Sequence, residues 1–186
     1  TTHSGDKMKN FNIAITLFLT AIFACSANAG SDVLAEKSLQ SFKEDNFEVY
    51  TKVMASADDL YSLMEYAKKI KSPMYPAALF EKMTGDEVKE FCANSAKDLH
   101  KRGKDNWLAT KEEGVKKGID WKKVTLISHK FAKKPSTVLK SGKLKEANII
   151  VNFSSNNNSY SYELDDCISL PNDSWVCEKI ISLKKN

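Results

Sequence analysis

Two cysteines near the end of the chain have the spacing of a disulfide that closes a β-hairpin. Cys167 and Cys177 flank the segment Leu170–Trp175, whose Pro-Asn-Asp-Ser sequence is typical of a turn between two apolar runs. Residues at facing positions of an antiparallel hairpin have Cα atoms about 4.5–5.5 Å apart, which suits a disulfide. The pattern therefore predicts a Cys167–Cys177 bridge, which an oxidising compartment would permit.

The other reactive residue types show no catalytic or metal-binding pattern. Cys92 lies on the apolar stripe of a predicted helix, which favours a buried thiol, and His100 is the base that follows it two turns later. His100 and His129 both lie in basic runs typical of a protein surface. The sequence has no C-x-x-C spacing, glycine-rich phosphate loop, serine nucleophile elbow or metal-binding histidine pair. We therefore predict no metal and no cofactor.

A lysine-rich segment could bind anionic groups. Ten lysines and one acid, Asp120, lie between Lys116 and Lys145, whereas the whole chain has a formal net charge of only +4. Such a segment is either the solvated face of a hairpin or a docking surface for an acidic protein or anionic headgroups. The mild net charge argues against nucleic acid as a partner. The candidate partner-binding residues are Lys130, Lys133, Lys134, Lys140, Lys143 and Lys145.

The first 29 residues have the three parts of a secretory signal. Two lysines precede an apolar run, Phe11–Cys25, and the small residues Ala27 and Ala29 then form a cleavage site. The run is shorter than the roughly 20 apolar residues that a membrane span needs. The pattern therefore predicts export followed by cleavage after Ala29.

Cleavage at this point defines the organisation of the chain. Residues 30–186 would form one domain, and residues 1–7 would precede the natural start at Met8. The mature protein would be periplasmic or secreted, without a stable membrane span. A lipid anchor at Cys25 is the alternative, although the bulky Phe23 fits a lipoprotein signal poorly.

Apolar residues at helical spacing occupy the first half of the mature part. One or two helices are predicted over residues 32–54, and another begins at Ser56 and stops at Pro73. Thr84 and Glu87 have the spacing of a capping box, which starts a helix that we expect to end at Gly103. A further short helix is predicted over residues 107–117, closed by a glycine.

From Asp120 onward the apolar residues alternate, which is typical of strands. The predicted strands cover residues 121–128, 131–139, 147–153, 160–170 and 175–183. Pro135 interrupts the second of these and indicates a sheet edge, and the asparagine-rich segment 154–159 predicts a hairpin turn. Helices followed by an antiparallel meander predict an α+β fold, with N-terminal helices packed on a curved C-terminal sheet.

Four segments of the C-terminal half follow a family pattern. Gly118–Trp121 enters the first strand, Glu146–Phe153 forms a central strand, Tyr160–Leu164 follows, and Trp175 begins the closing strand. In outline, residues 32–183 resemble small exported domains of the nuclear transport factor two-like, cystatin-like superfamily. The resemblance implies a cone-like sheet covered by helices. Because this fold carries many unrelated functions, it does not by itself imply one.

The resemblance does imply where a site would lie. Enzymes of that superfamily place an aspartate with a tyrosine or histidine inside the cone, as general base and oxyanion donor. The residues chemically able to do this are Asp165, Asp166, Tyr160 and Tyr162. For the two aspartates, the alternative is an exposed pair on a strand.

Three functions therefore remain open on the sequence. The first is an exported, non-enzymatic protein that binds an acidic protein surface or a small apolar ligand, and a toxin-neutralising immunity protein would be one form of it. The second is a small pocket enzyme that transfers protons through an aspartate–tyrosine pair. The third is a passive envelope protein or lipoprotein.

Overall fold

A computed structural model describes residues 30–72, 80–138 and 143–186. The predicted leader, Pro73 and Lys140 lie outside these residues. The described helices are α1 (Ser31–Lys43), α2 (Phe47–Thr51), α3 (Ala57–Lys69) and α4 (Gly85–Lys116). After a 3₁₀ turn, Trp121–Lys123, come the strands β1 (Thr125–Phe131), β2 (Ser136–Thr137), β3 (Lys145–Ser155), β4 (Asn158–Ser169), β5 (Trp175–Val176) and β6 (Lys179–Lys185).

The sheet is built around the β3–β4 hairpin. Asn156 and Asn157 connect the two strands with φ angles of 49° and 61°, which suit the two-residue turn that matches strand twist. β1 and β2 pair with one side of β3, and β5 and β6 pair with the far side of β4. These pairings are antiparallel, so the predicted antiparallel sheet and hairpin turn are confirmed, and the sheet is not closed. The predicted meander is wrong at its first step, because β1 pairs with β3 and not with the short strand β2.

Three β-bulges curve this sheet. Ile127 is an extra residue in β1, and the register also shifts beside Asp166 in β4 and Ser182 in β6. Asp166 and Ser182 have positive φ angles of 53° and 57°. An extra residue bends a strand and increases its local twist, so these positions produce the curvature.

The helices cover one face of the sheet. α1 packs against β1 and β3, α4 packs against β6, and α3 packs against α4. One buried apolar cluster contains residues of the helices and of the strands, which confirms the predicted α+β class. The inward side chains of β3 and β4, each at most 1% exposed, are Ile149, Val151, Phe153, Tyr160, Tyr162 and Leu164. In the described ranges, none of the helices has the length and apolar character needed to cross a membrane.

Both predicted helix starts are confirmed by reciprocal capping contacts. The Asp59 amide donates to Ser56 Oγ (3.1 Å), and the Ser56 amide donates to the Asp59 carboxylate (2.9 Å). Thr84 and Glu87 form the same box at the start of α4, where the backbone and side-chain hydrogen bonds from Thr84 lower the pKa of Glu87.

The predicted helix end at Gly103 is wrong. α4 has 32 residues in all, continues through this position to Lys116 and ends before Gly118, whose φ is +84°. Gly103 is buried, and a Cβ there would lie 2.3 Å from Met54 Cε. The glycine therefore admits the Met54 side chain against the helix and does not terminate it.

Three predicted strand limits also need correction. Residues 121–123 form a 3₁₀ turn, because the Asp120 carboxylate accepts the Lys122 amide (3.2 Å) and starts the turn there. The strand predicted over 131–139 is reduced to Ser136–Thr137 among the described residues. The last strand is divided, because the Cys177 amide leaves the sheet and donates to the Val53 carbonyl (2.7 Å).

Candidate functional site

The predicted disulfide is present. Cys167 and Cys177 are bonded with an S–S distance of 2.08 Å, and they follow the register of the β4–β5 pairs next to them. Cys92 is a free thiol, 1% exposed, whose Sγ lies 3.5 Å from Met64 Sδ. Burial raises the pKa of Cys92 to about 11, so this thiol is not ionised at neutral pH.

The two candidate tyrosines face the helices. The Tyr162 hydroxyl lies 2.7 Å from Ser38 Oγ on α1, and the Tyr160 hydroxyl donates to the Lys117 carbonyl (3.3 Å). Burial raises the pKa of Tyr162, and the hydrogen bond with Ser38 opposes this rise only in part. Both side chains belong to the packed interior, each being 1% exposed.

The two candidate aspartates contact a different set of residues. Lys179 Nζ lies 3.1 Å from Asp165 Oδ2 and also pairs with Asp166. The Asn148 amide donates to Asp165 and to Glu163 on the face opposite the tyrosines. Burial lowers the pKa of Lys179, but its hydrogen bonds to the two aspartates outweigh this effect and raise it. The structure thus pairs the aspartates with lysine and does not bring them to the tyrosines.

Aromatic rings fill the interior between the helices and the sheet. Phe42 stacks on Trp121 at a centroid distance of 4.3 Å and on Trp107 at 5.4 Å. A small apolar cavity beside this core, lined in part by Met54 and Leu99, measures about 30 Å³, roughly the room of one water molecule. In the part of the chain that is described, the larger spaces lie at the surface.

Five of the six candidate lysines lie along the edge of the sheet that β1, β2 and the start of β3 form. Lys130 is the last exposed residue of β1, and Lys133 and Lys134 lie in the loop that follows. Lys143 lies just before β3, and Lys145 is its first residue. All are exposed except Lys145, which is half-buried. We call these five residues the basic surface; the sixth, Lys140, is outside the described residues.

The remaining lysines of the basic segment lie elsewhere. Lys117 pairs with Glu113 (3.2 Å), and Lys123 pairs with Asp120 (3.1 Å) at the opposite end of β1. A seven-residue strand is roughly 20 Å long, so these cations are well separated from the basic surface. The continuous run in the sequence thus becomes two surfaces.

Glu146 lies beside the basic surface. It borders a surface pocket of about 270 Å³, together with Lys133, Lys134 and Glu163. Its Oε2 atom is buried and has no hydrogen-bond partner among the described residues. Burial, and next the charge of Asp166, raise the pKa of Glu146 to about 8. At neutral pH this carboxyl is largely protonated, so it subtracts little from the positive charge of the lysines.

A second surface space, about 480 Å³, lies between the start of α1, the α2–α3 connection and the β4–β5 turn. We call it the Trp175 groove. Gly30 forms part of its wall with φ +101°, and a Cβ there would lie 3.2 Å from Trp175 Cδ1. Its apolar lining residues are Val33, Leu34, Met54, Leu170, Trp175 and Val176.

The polar lining of the Trp175 groove includes Lys52, Asp59 and His100. His100 is half-buried at the surface, and its Nε2–H donates to the Ala55 carbonyl (3.1 Å). His129 is half-buried on β1 opposite Val151. Across the described ranges, no three histidine, cysteine or acidic side chains are placed to share a metal ion.

Comparison with known proteins identifies no relative of this chain. The chain matches no protein-family model, no curated protein and no solved structure at a significant level.

Sequence reasoning missed Glu146, Lys179 and the Trp175 groove. Glu146 and Asn148 alternate with apolar residues along β3, and this alternation does indicate a shared polar face. No local pattern indicates that Lys179 reaches Asp166, or that Gly30 meets Trp175, because these contacts depend on a bulge and on chain packing.

Proposed function

We propose that this protein is an exported, non-enzymatic binding protein that docks on an acidic protein partner through the basic surface. The observation that carries the proposal is the placement of five lysines along the edge of the sheet that β1, β2 and the start of β3 form. One-signed charge on neighbouring segments speeds encounter with a partner of opposite charge.

The acid that lies beside Lys143 compensates little of its charge. Lys143 Nζ lies 3.8 Å from Asp173 Oδ1, and both side chains are largely exposed, so their attraction is weak in water. Asp165 and Asp166 already pair with Lys179. A partner carboxylate could therefore pair with Lys143 and with the exposed residues Lys130 and Lys133.

The packing of the interior also supports surface binding over pocket catalysis. Tyr162 contacts Ser38 of α1, whereas Asp165 contacts Lys179 and Asn148. An acid–tyrosine pair would need both groups within hydrogen-bond reach of one reacting atom. The aromatic rings occupy the space in which such an atom would have to lie.

Export is supported by two independent features. The Cys167–Cys177 disulfide fits an oxidising compartment, and residues 1–29 have the form of a secretory signal. The mature protein would then begin at Gly30. A protein that neutralises a toxin outside the cytoplasm is one form of this function, and the resemblance to the cystatin-like superfamily allows it.

The test is affinity capture from an envelope extract with three immobilised proteins: the wild type and two triple variants. One variant carries Lys130→Glu, Lys133→Glu and Lys143→Glu. The matched control carries the same charge change on exposed lysines of α4, namely Lys89→Glu, Lys97→Glu and Lys104→Glu. We expect an acidic protein to be retained by the wild type and the control and lost by the first variant. Equal retention by all three proteins would refute the proposed function.

A further inference from the structure

Glu146 and two lysines of the basic surface border one pocket on the face of the sheet opposite the helices. Along β3, Glu146 and Asn148 alternate with inward, buried residues, so their side chains lie on this opposite face. Lys133 and Lys134 form another part of the pocket wall, which encloses about 270 Å³. A carboxyl group fixed on the sheet therefore shares a small space with part of the basic surface.

The Glu146 carboxyl is held where ionisation is costly. Its Oε2 atom is buried and has no hydrogen-bond partner among the described residues. A charged oxygen in such a place loses its hydration and gains no donor in return, so the neutral form is favoured. Burial is accordingly the larger reason for the raised pKa of about 8, and the charge of Asp166 adds to it. Glu146 therefore changes charge between neutral and mildly alkaline pH.

Several charged side chains surround Glu146. Ser136 of β2, which pairs with Glu146, carries no charge. Lys179 already pairs with both Asp165 and Asp166, so Lys133 and Lys134 are the cations that line the pocket itself. Ionised Glu146 would offset their charge, whereas the neutral carboxyl does not. The charged neighbours, by element, are Lys133 and Lys134 after β1, Lys145 on β3, Glu163, Asp165 and Asp166 on β4, and Lys179 on β6.

We propose that Glu146 makes docking at the basic surface pH-dependent: the acidic partner binds while this carboxyl is neutral and binds more weakly once it ionises. The inference rests on the proposed function and adds the regulation of the same surface. Its sign follows from charge, because a carboxylate beside Lys133 offsets the attraction of that lysine and repels the carboxylates of the partner. Thermodynamic linkage requires the reverse effect as well, so a bound acidic segment should favour the neutral form of Glu146.

The probe is an end-blocked hexa-aspartate peptide with a rhodamine label, titrated by fluorescence anisotropy at about pH 7 and about pH 9 in roughly 10 mM salt. The variants are Glu146→Gln, which is neutral at both pH values, and the matched control Glu112→Gln, an exposed glutamate of α4. A unit charge several ångströms from a bound carboxylate in water changes its affinity about two- to threefold. We expect this weakening at the higher pH in the wild type and in Glu112→Gln, relative to any change that Glu146→Gln shows. The change in Glu146→Gln measures all other titrating groups.

A second measurement follows Glu146 directly. In protein labelled with carbon-13 at the glutamate carboxyl groups, the Glu146 resonance is assigned by its loss in Glu146→Gln and titrated with and without the peptide. We expect saturating peptide to move its titration midpoint upward by about 0.3–0.5 on the pH scale, which is the same factor of two to three.

The outcomes separate this inference from the proposed function. The same pH dependence in Glu146→Gln as in the wild type, or a Glu146 titration that the peptide does not move, would overturn the inference and leave the proposed function standing. Binding that is unchanged in the Lys130, Lys133 and Lys143 triple variant would instead overturn the proposed function. No saturable binding of the peptide up to about 1 mM at either pH would overturn both.

Discussion

Replacing Gly114 by alanine should destabilise the protein, although alanine favours helices more than glycine does. Gly114 is buried in α4 beneath the indole of Trp121. A Cβ at this position would lie 2.2 Å from Trp121 Cζ2 and 2.6 Å from Cε2. These distances are far inside van der Waals contact, so either the ring or the helix has to move.

The Trp121 ring has little freedom to move. Its Nε1–H donates to the Lys111 carbonyl (2.9 Å), and the ring stacks on Phe42 at 4.3 Å and on Phe153 at 5.7 Å. Overpacking costs about 1–3 kcal/mol, and a lost hydrogen bond costs about 0.5–1.5 kcal/mol. The gain in helix propensity is about 1 kcal/mol. The net expectation is a loss of about 1–3 kcal/mol in the free energy of unfolding.

The matched control is Gly85→Ala at the start of the same helix, where a Cβ would meet no atom within 4 Å. We expect this variant to be as stable as the wild type or more stable by up to about 1 kcal/mol. Urea unfolding followed by far-ultraviolet circular dichroism gives both values. If Gly114→Ala proves as stable as the wild type, the packing of Trp121 on α4 is described incorrectly.

Three further predictions concern the interior and the acids beside the basic surface. Replacing Cys167 and Cys177 by alanine should lower the free energy of unfolding by about 2–4 kcal/mol, because the disulfide constrains the unfolded chain. A loss of less than about 1 kcal/mol, measured by urea unfolding, would contradict this expectation. Tyr50→Phe should leave stability unchanged or raise it, because the buried hydroxyl has no partner among the described residues. Tyr162→Phe should instead lower the free energy of unfolding by about 1 kcal/mol, because the contact with Ser38 is lost. Thermal unfolding that shows Tyr50→Phe to be the less stable variant would contradict these hydrogen-bond assignments. Glu146 has a folded pKa of about 8 against an ordinary value of 4.5, so the folded state holds its proton longer and stability should fall as pH rises between these values. The free energy of unfolding of Glu146→Gln should therefore match that of the wild type near pH 4 and exceed it by about 1–2 kcal/mol at pH 8–9. This figure is reduced for the partial exposure of the side chain. A difference between the two proteins that stays constant across this pH range would refute the pKa shift.

The features that the sequence predicted correctly depend on residues close together in the chain. Ser56 and Thr84 each cap a helix with an acid three positions later, and the Asn156–Asn157 turn is set by two residues that tolerate positive φ. The Cys167–Cys177 bond follows from a single hairpin. Local chemistry determines each of these, so a single sequence was enough to predict them.

The features that the sequence did not predict depend on distant contacts. Gly103 continues α4 because Met54 packs against it, although a glycine at the end of an apolar stripe is typical of a helix end. Simple alternation along β4 would place Asp166 on the same face as Tyr162, but the bulge takes its carboxylate to Lys179. The sequence therefore indicated which residue types could form the candidate site, but it did not indicate which of these residues lie close together in the fold.

The most direct test of the central claim is the association rate between this protein and its captured partner at two salt concentrations. At about 10 mM salt, charges act over roughly 30 Å, and at 150 mM over about 8 Å. We predict that the wild type associates at least about tenfold faster at low salt, and that the Lys130, Lys133 and Lys143 triple variant loses this advantage with little change in dissociation rate. The α4 control variant should behave like the wild type. An association rate that depends neither on salt nor on these three lysines would contradict binding through the basic surface.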